Sequence, residues 1–357
     1  MATELGEAQI KKHRPKDTRL RQQRLVAWQP ILTAKTVIPI VFSISILFIP
    51  IGIVLLHTSQ SVQEYVISYA NDTNNHCIFP RSDGLCEVNF TLAESFEGDV
   101  YFYYGLENYF QNHRRYMKSR NDEQLLGVNL MNNLKDCTPF ERNDAGQPIA
   151  PCGAIANSLF NDTFRLEFGN EKVAWTHEGL VWPVDLASKF KNPLCGGQQC
   201  NSIAALCDAF LAEGTVRPPN WQRDPCKLDN NTVQNSGFKN ADFIIWMRTA
   251  ALPDFRKPYR KLDRENNLNK YANGLPAGDY KLVVENNYNV SEFGGKKSFI
   301  ISTTSWMGGK NPFLGIAYIS VGVLCACLGV VFIFVHLKYG HTLEEIAGLE
   351  QFNRRAQ

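Results

Sequence analysis

Two long blocks without a charged residue divide the chain into five parts. The first block contains 20 residues and the second contains 25. At about 1.5 Å of rise per residue, 20 helical residues span about 30 Å, the thickness of a bilayer's hydrocarbon core. A helix in a soluble core rarely stays apolar on every face for so long, so both blocks are predicted to cross a membrane. The five parts are a tail (1–36), a first span (37–56), a middle segment (57–312), a second span (313–337) and a C-terminal tail (338–357).

The first block could instead be the core of a cleaved signal peptide. It is longer than a typical signal-peptide core and begins more than 30 residues into the chain. The sequence after it, His-Thr-Ser-Gln-Ser at 57–61, lacks a clear small-x-small cleavage site. An uncleaved signal anchor is therefore favoured.

The flanks of the two spans differ in positive charge, although the whole chain has a net charge of only +2. The N-terminal tail carries eight Lys or Arg, whereas the fifteen residues after the first span carry none. Lys338, Arg354 and Arg355 follow the second span. Because Lys and Arg concentrate on the cytoplasmic side of membrane proteins, both tails are predicted to be cytoplasmic and the middle segment luminal or extracellular.

The distribution of cysteines supports this topology independently. Eight of the ten cysteines lie between the spans, and neither tail contains any. An even number on an oxidising side of the membrane predicts four disulfides; the alternative, a zinc site, needs closely spaced Cys or His pairs that do not occur. Cys325 and Cys327 lie within the second span and are interpreted as small apolar residues. The eight are Cys77, Cys86, Cys137, Cys152, Cys195, Cys200, Cys207 and Cys226.

The middle segment is predicted to be mostly β, because β-branched and aromatic runs alternate with turn residues. Residues 99–106 and 243–248 are predicted strands, and residues 281–285 and 297–302 are predicted to pair as an antiparallel hairpin before the second span. Residues 201–213 have the clearest helical periodicity. Without an internal repeat or a low-complexity linker, we expect one domain rather than two.

Known catalytic motifs do not occur in this chain. It has no Gly-x-Ser-x-Gly, Walker, His-Glu-x-x-His or Gly-x-Gly-x-x-Gly motif, and it lacks the Asp-Lys-Thr-Gly of a phosphorylated pump. The histidines of the middle segment are scattered along it. We therefore predict no catalytic residue, no metal site, no cofactor and no nucleic-acid partner.

Five segments resemble one family closely, the accessory β-subunits of type IV P-type ATPases, which are phospholipid flippases. This is the family of cell-division-control and ligand-effect-modulator membrane proteins. The resemblance runs from the first span through the second. Its motifs are Tyr-Tyr-Gly-Leu at 103–106, Tyr-Phe-Gln-Asn-His-Arg-Arg-Tyr at 109–116, Ala-Pro-Cys-Gly-Ala-Ile-Ala-Asn at 150–157, Trp-Met-Arg-Thr-Ala-Ala-Leu-Pro at 246–253 and Trp-Met-Gly-Gly-Lys-Asn-Pro-Phe at 306–313.

The resemblance implies a fold, a partner and a function. It implies two membrane helices that flank an antiparallel, sandwich-like, β-rich ectodomain with long loops. It implies a heterodimer with a catalytic ATPase subunit, which the chain helps to fold, to leave the endoplasmic reticulum and to move aminophospholipids to the cytoplasmic leaflet. The complex would reside in the endoplasmic reticulum, in the Golgi and endosomes, or in the plasma membrane. The ATP chemistry would belong to the partner.

The cysteines match the family only in part. Many members carry two nested bridges near the first cysteines, but here only Cys77 and Cys86 are present, and we predict that they pair. A second predicted bridge joins Cys137 to Cys152, which are also near neighbours in sequence. The last four cysteines lie in a stretch without a family match and allow three pairings; Cys195–Cys200 with Cys207–Cys226 is favoured.

Three sets of residues are candidate modification or interaction sites. Five Asn-x-Ser/Thr sequons are candidate glycosylation sites, of which the second, third and fifth lie in family-like segments. A basic cluster after the family-like Trp246 segment is either a solvated face or a contact with acidic loops of the partner. Glycines repeated every seven residues in the second span return to nearly one helix face and predict a docking seam, against the first span, the partner or both. The residues are Asn71, Asn89, Asn161, Asn230 and Asn289; Arg256, Lys257, Arg260, Lys261 and Arg264; and Gly315, Gly322 and Gly329.

Two other classes of protein remain as alternatives. A trimeric two-pass ligand-gated channel also has a disulfide-rich ectodomain, but its pore helix needs a polar stripe or charged ring, and the second span offers little beyond Tyr318, Ser320 and its cysteines. An adhesion or receptor ectodomain is opposed mainly by the family resemblance. The protein that co-purifies after mild detergent extraction distinguishes the three.

Overall fold

The computed structural model separates the chain into two compact units. One contains the two apolar helices, and the other, His57–Pro312, is called the ectodomain below. The structure describes residues 16–25, 33–70, 77, 85–128, 130–169, 171–265 and 270–340.

Eight α-helices and eleven β-strands lie within these described ranges. The helices are α1 (Ala34–Gln60), α2 (Arg114–Lys118), α3 (Asp122–Leu125), α4 (Ala154–Asn157), α5 (Pro183–Ser188), α6 (Ile203–Ala212), α7 (Ala241–Met247) and α8 (Phe313–Tyr339). The strands are β1 (Glu64–Ala70), β2 (Leu85–Leu92), β3 (Phe96–Glu97), β4 (Val100–Glu107), β5 (Thr163–Phe168), β6 (Glu171–Lys172), β7 (Trp175–Thr176), β8 (Phe255–Leu262), β9 (Gly274–Leu275), β10 (Gly278–Glu285) and β11 (Lys296–Thr303).

Both apolar blocks form single helices, which confirms the two predicted membrane helices. Each helix has 27 residues, so both extend beyond the uncharged blocks. Their most apolar 18-residue windows have mean hydropathies of 2.7 and 2.6. The helices continue into polar residues such as Ser59 and Lys338 because the backbone hydrogen-bond ladder does not require apolar side chains.

The strands form two antiparallel sheets and one short pair. The five-stranded sheet has the order β1-β11-β4-β8-β7, and the four-stranded sheet has the order β2-β10-β5-β6. Strand β2 shows why the sequence folds this way: its residues alternate strictly between exposed and buried, with Val88, Phe90 and Leu92 facing inward. The predicted β-rich, antiparallel fold is confirmed, and the strand predicted at 99–106 is β4.

The predicted hairpin between residues 281–285 and 297–302 is wrong. Strand β10 pairs with β2 and β5, whereas β11 pairs with β1 and β4 in the other sheet. The chain therefore crosses from one sheet to the other between the two strands. Both strands bury residues on a face that packs against the opposite sheet, so their local patterns are alike. Such a pattern does not show which distant strand pairs with each of them.

The core lies between the two sheets and is rich in aromatic rings. The ring of Phe164 in β5 lies 5.0 Å from that of Phe299 in β11, which in turn stacks on Phe102 in β4 at 5.9 Å. Each ring is less than a tenth exposed. This contact across the sheets makes the ectodomain a sandwich, as the resemblance implied.

The strand predicted at residues 243–248 is a helix, α7. The side chain of Asn240 accepts a hydrogen bond from the backbone N–H of Phe243 at 3.0 Å and so caps the helix N-terminus. Six of the seven residues of α7 are buried, Asp242 being the exception, so no polar alternation distinguished a helix from a strand. The predicted helix at 201–213 is confirmed as α6, capped by Ser202.

Candidate partner-binding surfaces

The glycine seam of α8 packs against α1 of the same chain. A Cβ atom built on Gly315 would lie 2.7 Å from the backbone N of Leu56, and one built on Gly322 would lie 2.7 Å from Cγ1 of Ile49. At Gly329 the corresponding distance, to Cε2 of Phe42, is 2.8 Å. Only residues without a Cβ permit this close approach of two helices.

The first helix contributes small residues to the same contact. Ser45 is 5% exposed, and a Cβ on Gly52 would lie 2.7 Å from Cγ1 of Ile319. The seam is extended by Phe48, whose ring centroid lies 4.9 Å from that of Tyr318. The seam was predicted to dock against the first span, the partner or both; in this structure it docks against the first span, α1.

The outer faces of both helices are apolar and exposed. Ile46 is 70% exposed on α1, and Val330 and Phe334 on α8 are 61% and 62% exposed. Such surfaces are stable only against lipid or other membrane helices. A partner helix would therefore meet these outer faces.

Four of the five residues of the basic cluster, which lies on β8 and just after it, pair with acids of the ectodomain. Arg256 pairs with Glu64 of β1, and Arg260 binds both carboxylate oxygens of Asp242, with N–O distances of 2.6 and 3.1 Å. The side chains of Arg256 and Arg260 are 30% and 19% exposed. Although burial opposes it, Asp242 raises the pKa of Arg260.

The other members of the cluster are also engaged. Lys261 and Arg264 both bind Asp99, at 3.2 and 3.0 Å. Lys257 is 5% exposed and donates to three backbone carbonyls at the end of α7, including that of Ile245 at 2.9 Å. Burial lowers the pKa of Lys257 to about 7, and nearby Arg248 adds to this effect. The cluster thus ties β8 to its neighbours rather than forming an open basic face.

An exposed apolar patch at the start of α5 was not predicted from the sequence. Trp182 and Val184 are 63% and 62% exposed, and the guanidinium of Arg248 lies 4.2 Å from the Trp182 ring centroid. Beneath them, the 1% exposed Asp185 binds Arg248 at 2.5 Å and Lys189 at 3.0 Å. Burial alone would raise the pKa of Asp185, but these two cations lower it.

A second missed feature is a buried ion pair where the two sheets meet. Lys297 of β11 binds Asp162 at 2.6 Å, and the two side chains are 1% and 0% exposed. The Tyr69 hydroxyl donates to the same carboxylate at 2.7 Å, and Lys297 also donates to the Tyr288 carbonyl at 2.5 Å. Burial and Asp162 together raise the pKa of Tyr69. The only signal in the sequence is a lysine inside an apolar strand.

Four disulfides join the eight cysteines between the spans. Their Cα–Cα distances of 5.1–5.6 Å lie within the ordinary range for disulfides. The favoured pairing of the last four cysteines is the one found. The bridges are Cys77–Cys86, Cys137–Cys152, Cys195–Cys200 and Cys207–Cys226.

The sequons differ in their surroundings. Asn89 lies on the exposed face of β2, and Asn230 lies in an exposed loop. Asn289 is half-buried and donates to Glu292 at 3.2 Å. Asn161 lines a cavity, and Asn71 lies outside the described residues. Across the residues that are described, no group of three or more His, Cys, Asp or Glu is placed to bind a metal ion.

Comparison with known proteins accounts for this architecture. Residues 55–342 match the model of the LEM3 (ligand-effect modulator 3) family / CDC50 family, and this stretch includes the whole ectodomain and α8. The chain belongs to this family.

Relatives in animals and plants match nearly end to end. Cell cycle control protein 50A of Bos taurus is 48% identical over 341 residues, which cover 92% of this chain and 91% of that protein. Cell cycle control protein 50B of Homo sapiens is 43% identical over 345 residues, covering 92% and 95%. ALA-interacting subunit 3 of Arabidopsis thaliana is 38% identical over 337 residues, covering 91% and 86%.

The CDC50-family match also includes the stretch that the sequence motifs left unmatched. Residues 195–226 lie inside the matched range and include α6 and two of the disulfides. These four cysteines therefore lie within the part of this chain that matches the family.

Proposed function

We propose that this CDC50-family chain is the accessory subunit of a phospholipid flippase and forms a heterodimer with a type IV P-type ATPase. The observation that carries the proposal is family membership over the whole ectodomain, together with relatives that are named as ALA-interacting subunits. In this proposal the chain is non-catalytic. It supports the folding, export from the endoplasmic reticulum and transport cycle of the ATPase, which moves aminophospholipids to the cytoplasmic leaflet.

The proposed orientation places the tails (1–36 and 338–357) in the cytoplasm and the ectodomain in the lumen or outside the cell. It is supported by the positive charge of the N-terminal tail and by four disulfides in the ectodomain. Asn71, Asn89, Asn161, Asn230 and Asn289 would then be accessible to glycosylation. The proposed residences are the endoplasmic reticulum, the Golgi and endosomes, and the plasma membrane.

The proposed partner contact in the membrane involves the outer faces of α1 and α8. Gly315, Gly322 and Gly329 take part indirectly, because they hold the helix pair in the arrangement that the partner meets. In the ectodomain, Arg256 is a better candidate contact than Arg260, since its side chain is more exposed. Either arginine can reach a partner carboxylate only by sharing or exchanging its present acid.

Co-expression with a type IV ATPase tests the function. After mild detergent extraction, we expect the tagged chain to recover the ATPase in equal amounts and to raise its phosphorylation from ATP above that of the ATPase expressed alone. A cation-transporting P-type ATPase is the matched control and should not be recovered. Isolation of a homotrimer without an ATPase would contradict the proposal and favour a channel.

A further inference from the structure

A tight turn between β11 and α8 carries a tryptophan at its tip. The backbone groups of Ser305 and Gly308 exchange hydrogen bonds at 2.8 and 2.9 Å, which leaves Trp306 and Met307 as the two residues of the tip. The Ser305 hydroxyl also accepts a hydrogen bond from the backbone N–H of Met307 at 3.2 Å. The backbone of residues 305–308, called the Trp306 turn below, is therefore fixed by its own hydrogen bonds.

The indole of Trp306 is held in the open by this turn. The residue is 77% exposed, and within the described part of the chain its ring makes no aromatic or cation–π contact. Tryptophan is highly buried on average because its side chain has a large apolar area. A rigid backbone that presents an unused indole is therefore the arrangement expected where the protein meets a second surface.

The Trp306 turn lies at the end of the ectodomain where the chain arrives from α1 and leaves for α8. It follows the end of β11, where Ser302 lies opposite Glu64, four residues after the last residue of α1. On its other side, the backbone N–H of Asn311 donates to the hydroxyl of Ser59, in the last turn of α1, at 2.9 Å. Asn311 is two residues before α8 begins. The turn is thus tied to the same ends of both membrane helices.

The side chains around the turn have the chemistry of an interfacial membrane contact. Tryptophan is enriched where lipid headgroups meet acyl chains, because its ring is apolar and its N–H can remain hydrated. The exposed Lys310, between the turn and α8, has a long apolar stem and an ammonium that can reach a lipid phosphate. Phe313, the first residue of α8, is 73% exposed and adds apolar surface. Such residues at the end of a span fix a helix in the bilayer.

A protein partner is the competing occupant, since exposed tryptophans are also common at protein interfaces. The area favours lipid. A specific protein interface buries about 800 Å² on each partner, whereas one indole buries only about 150–250 Å². A lipid surface needs no matching shape, and the turn continues the apolar outer faces of α1 and α8.

We propose that Trp306 inserts into the headgroup region of the leaflet on the ectodomain side, so that the Trp306 turn binds the phospholipid surface and anchors the ectodomain to it. This contact goes beyond the proposed function and needs no ATPase, because it requires only the two membrane helices of this chain.

Trp182 provides an internal control at the other end of the sheet. It is 63% exposed and packs on Arg248, whose carbonyl accepts from Lys257 near the start of β8. The start of β8 pairs with the end of β4, whereas the start of β4, Val100, pairs with Thr303 just before the Trp306 turn. The ends of an eight-residue strand lie about 23 Å apart, so Trp182 is well separated from the proposed contact.

Photo-crosslinking identifies what each tryptophan position meets. Trp306→p-benzoylphenylalanine and Trp182→p-benzoylphenylalanine are made in the full chain and placed in phosphatidylcholine nanodiscs, with and without the ATPase. After illumination, mass spectrometry maps the adducts. We expect the yield of lipid adduct to be on the order of tenfold higher at 306 than at 182, since only a side chain at the bilayer stays next to lipid. Equal lipid yields, or a crosslink at 306 to the ATPase in place of lipid, would overturn the proposal.

A matched pair of phenylalanine variants gives a second measurement. Trp306→Phe and Trp182→Phe both replace mostly exposed side chains, so neither removes core packing. In nanodiscs of brominated phosphatidylcholine, we expect Trp306→Phe to lose part of the lipid-dependent quenching of tryptophan fluorescence and Trp182→Phe to keep all of it. Unchanged quenching in Trp306→Phe would contradict a lipid contact. Failure to recover the ATPase would instead contradict the proposed function, since the chain alone reports on lipid.

Discussion

Replacing Gly322 by leucine tests whether the glycine seam holds the two membrane helices together. A Cβ atom at this position would lie 2.7 Å from Cγ1 of Ile49, 3.2 Å from its backbone N and 3.4 Å from Cβ of Phe48. Ordinary carbon–carbon contacts lie at about 3.5–4.0 Å. The first added carbon already requires the helices to separate by about 1 Å, and the rest of the leucine side chain requires more.

The size of the effect on helix pairing follows from the contacts that this separation removes. Overpacking a tight contact costs about 1–3 kcal/mol, and the cost lies at the upper end when backbone atoms are among the neighbours, because they cannot rotate away. Separation at Gly322 also loosens the contacts of Gly315 and Gly329 on the same face. At about 1.4 kcal/mol for each factor of ten, the paired state of the helices should lose roughly tenfold to a hundredfold in population.

Ser320→Leu is the matched control, because it makes a similar enlargement two residues away on an exposed position of α8. Ile333→Leu provides a second, lipid-facing control. Helix proximity can be measured by oxidative crosslinking of Phe48→Cys with Tyr318→Cys, whose native rings lie 4.9 Å apart, after Cys325 and Cys327 have been replaced by alanine. Recovery of the ATPase subunit, normalised to expression of the variant, gives the functional result.

We expect Gly322→Leu to reduce both the crosslink and the recovery of the ATPase, and the two controls to reduce neither. If Gly322→Leu crosslinks as well as Ser320→Leu, the seam does not hold the pair. If the crosslink falls but the ATPase is recovered fully, the packing argument stands and the partner does not depend on the helix pair.

Three further predictions concern ion pairs of the ectodomain, each read from thermal unfolding, in which 1 kcal/mol shifts Tm by about 2–4 °C for a domain of this size. Asp185 has a folded-state pKa below its ordinary value of about 3.9, so the stability it provides is present above about pH 4 and is lost as the pH falls through the folded pKa. Asp185→Asn should lower the free energy of unfolding at pH 7 by about 1–3 kcal/mol and should make the fall of Tm on acidification less steep; an unchanged acid profile would contradict this role. Lys297→Met should lower the free energy of unfolding by about 3–5 kcal/mol, since it leaves the Asp162 carboxylate buried and unpaired. Adding Asp162→Asn should recover part of this loss. If the losses of the two single variants simply add in the double variant, the two residues are not coupled. Arg256→Glu should destabilise the ectodomain by about 1–3 kcal/mol, because the new carboxylate faces that of Glu64. Adding Glu64→Arg in the same chain should restore Tm. If Tm is restored but recovery of the ATPase is not, Arg256 also contacts the partner.

Local patterns in the sequence were sufficient to predict those helices, strands and disulfides whose formation depends on residues close together in the chain. The apolar blocks predicted both membrane helices, because a bilayer satisfies no backbone hydrogen bond and a helix satisfies its own. The aromatic run at 99–106 predicted β4, and the periodicity of residues 201–213 predicted α6. The closely spaced cysteines indicated their own bridges, since short loops bring their ends together at little entropic cost.

Only the tertiary structure decided which distant partner each residue meets. Residues 243–247 belong to helix α7 and not to a strand. Because six of the seven residues of α7 are buried, the sequence lacks the polar period that would have separated a helix from a strand. The basic residues of β8 look like an open charged face in the sequence, but acids up to 192 positions away pair with Arg256, Arg260 and Lys261, and backbone carbonyls bind Lys257. The pair Lys297–Asp162 and the cavity beside Asn161 exist only where the two sheets meet. Strand order, ion pairing and cavities all depend on contacts between positions far apart in the chain, and a linear pattern of polarity does not contain that information.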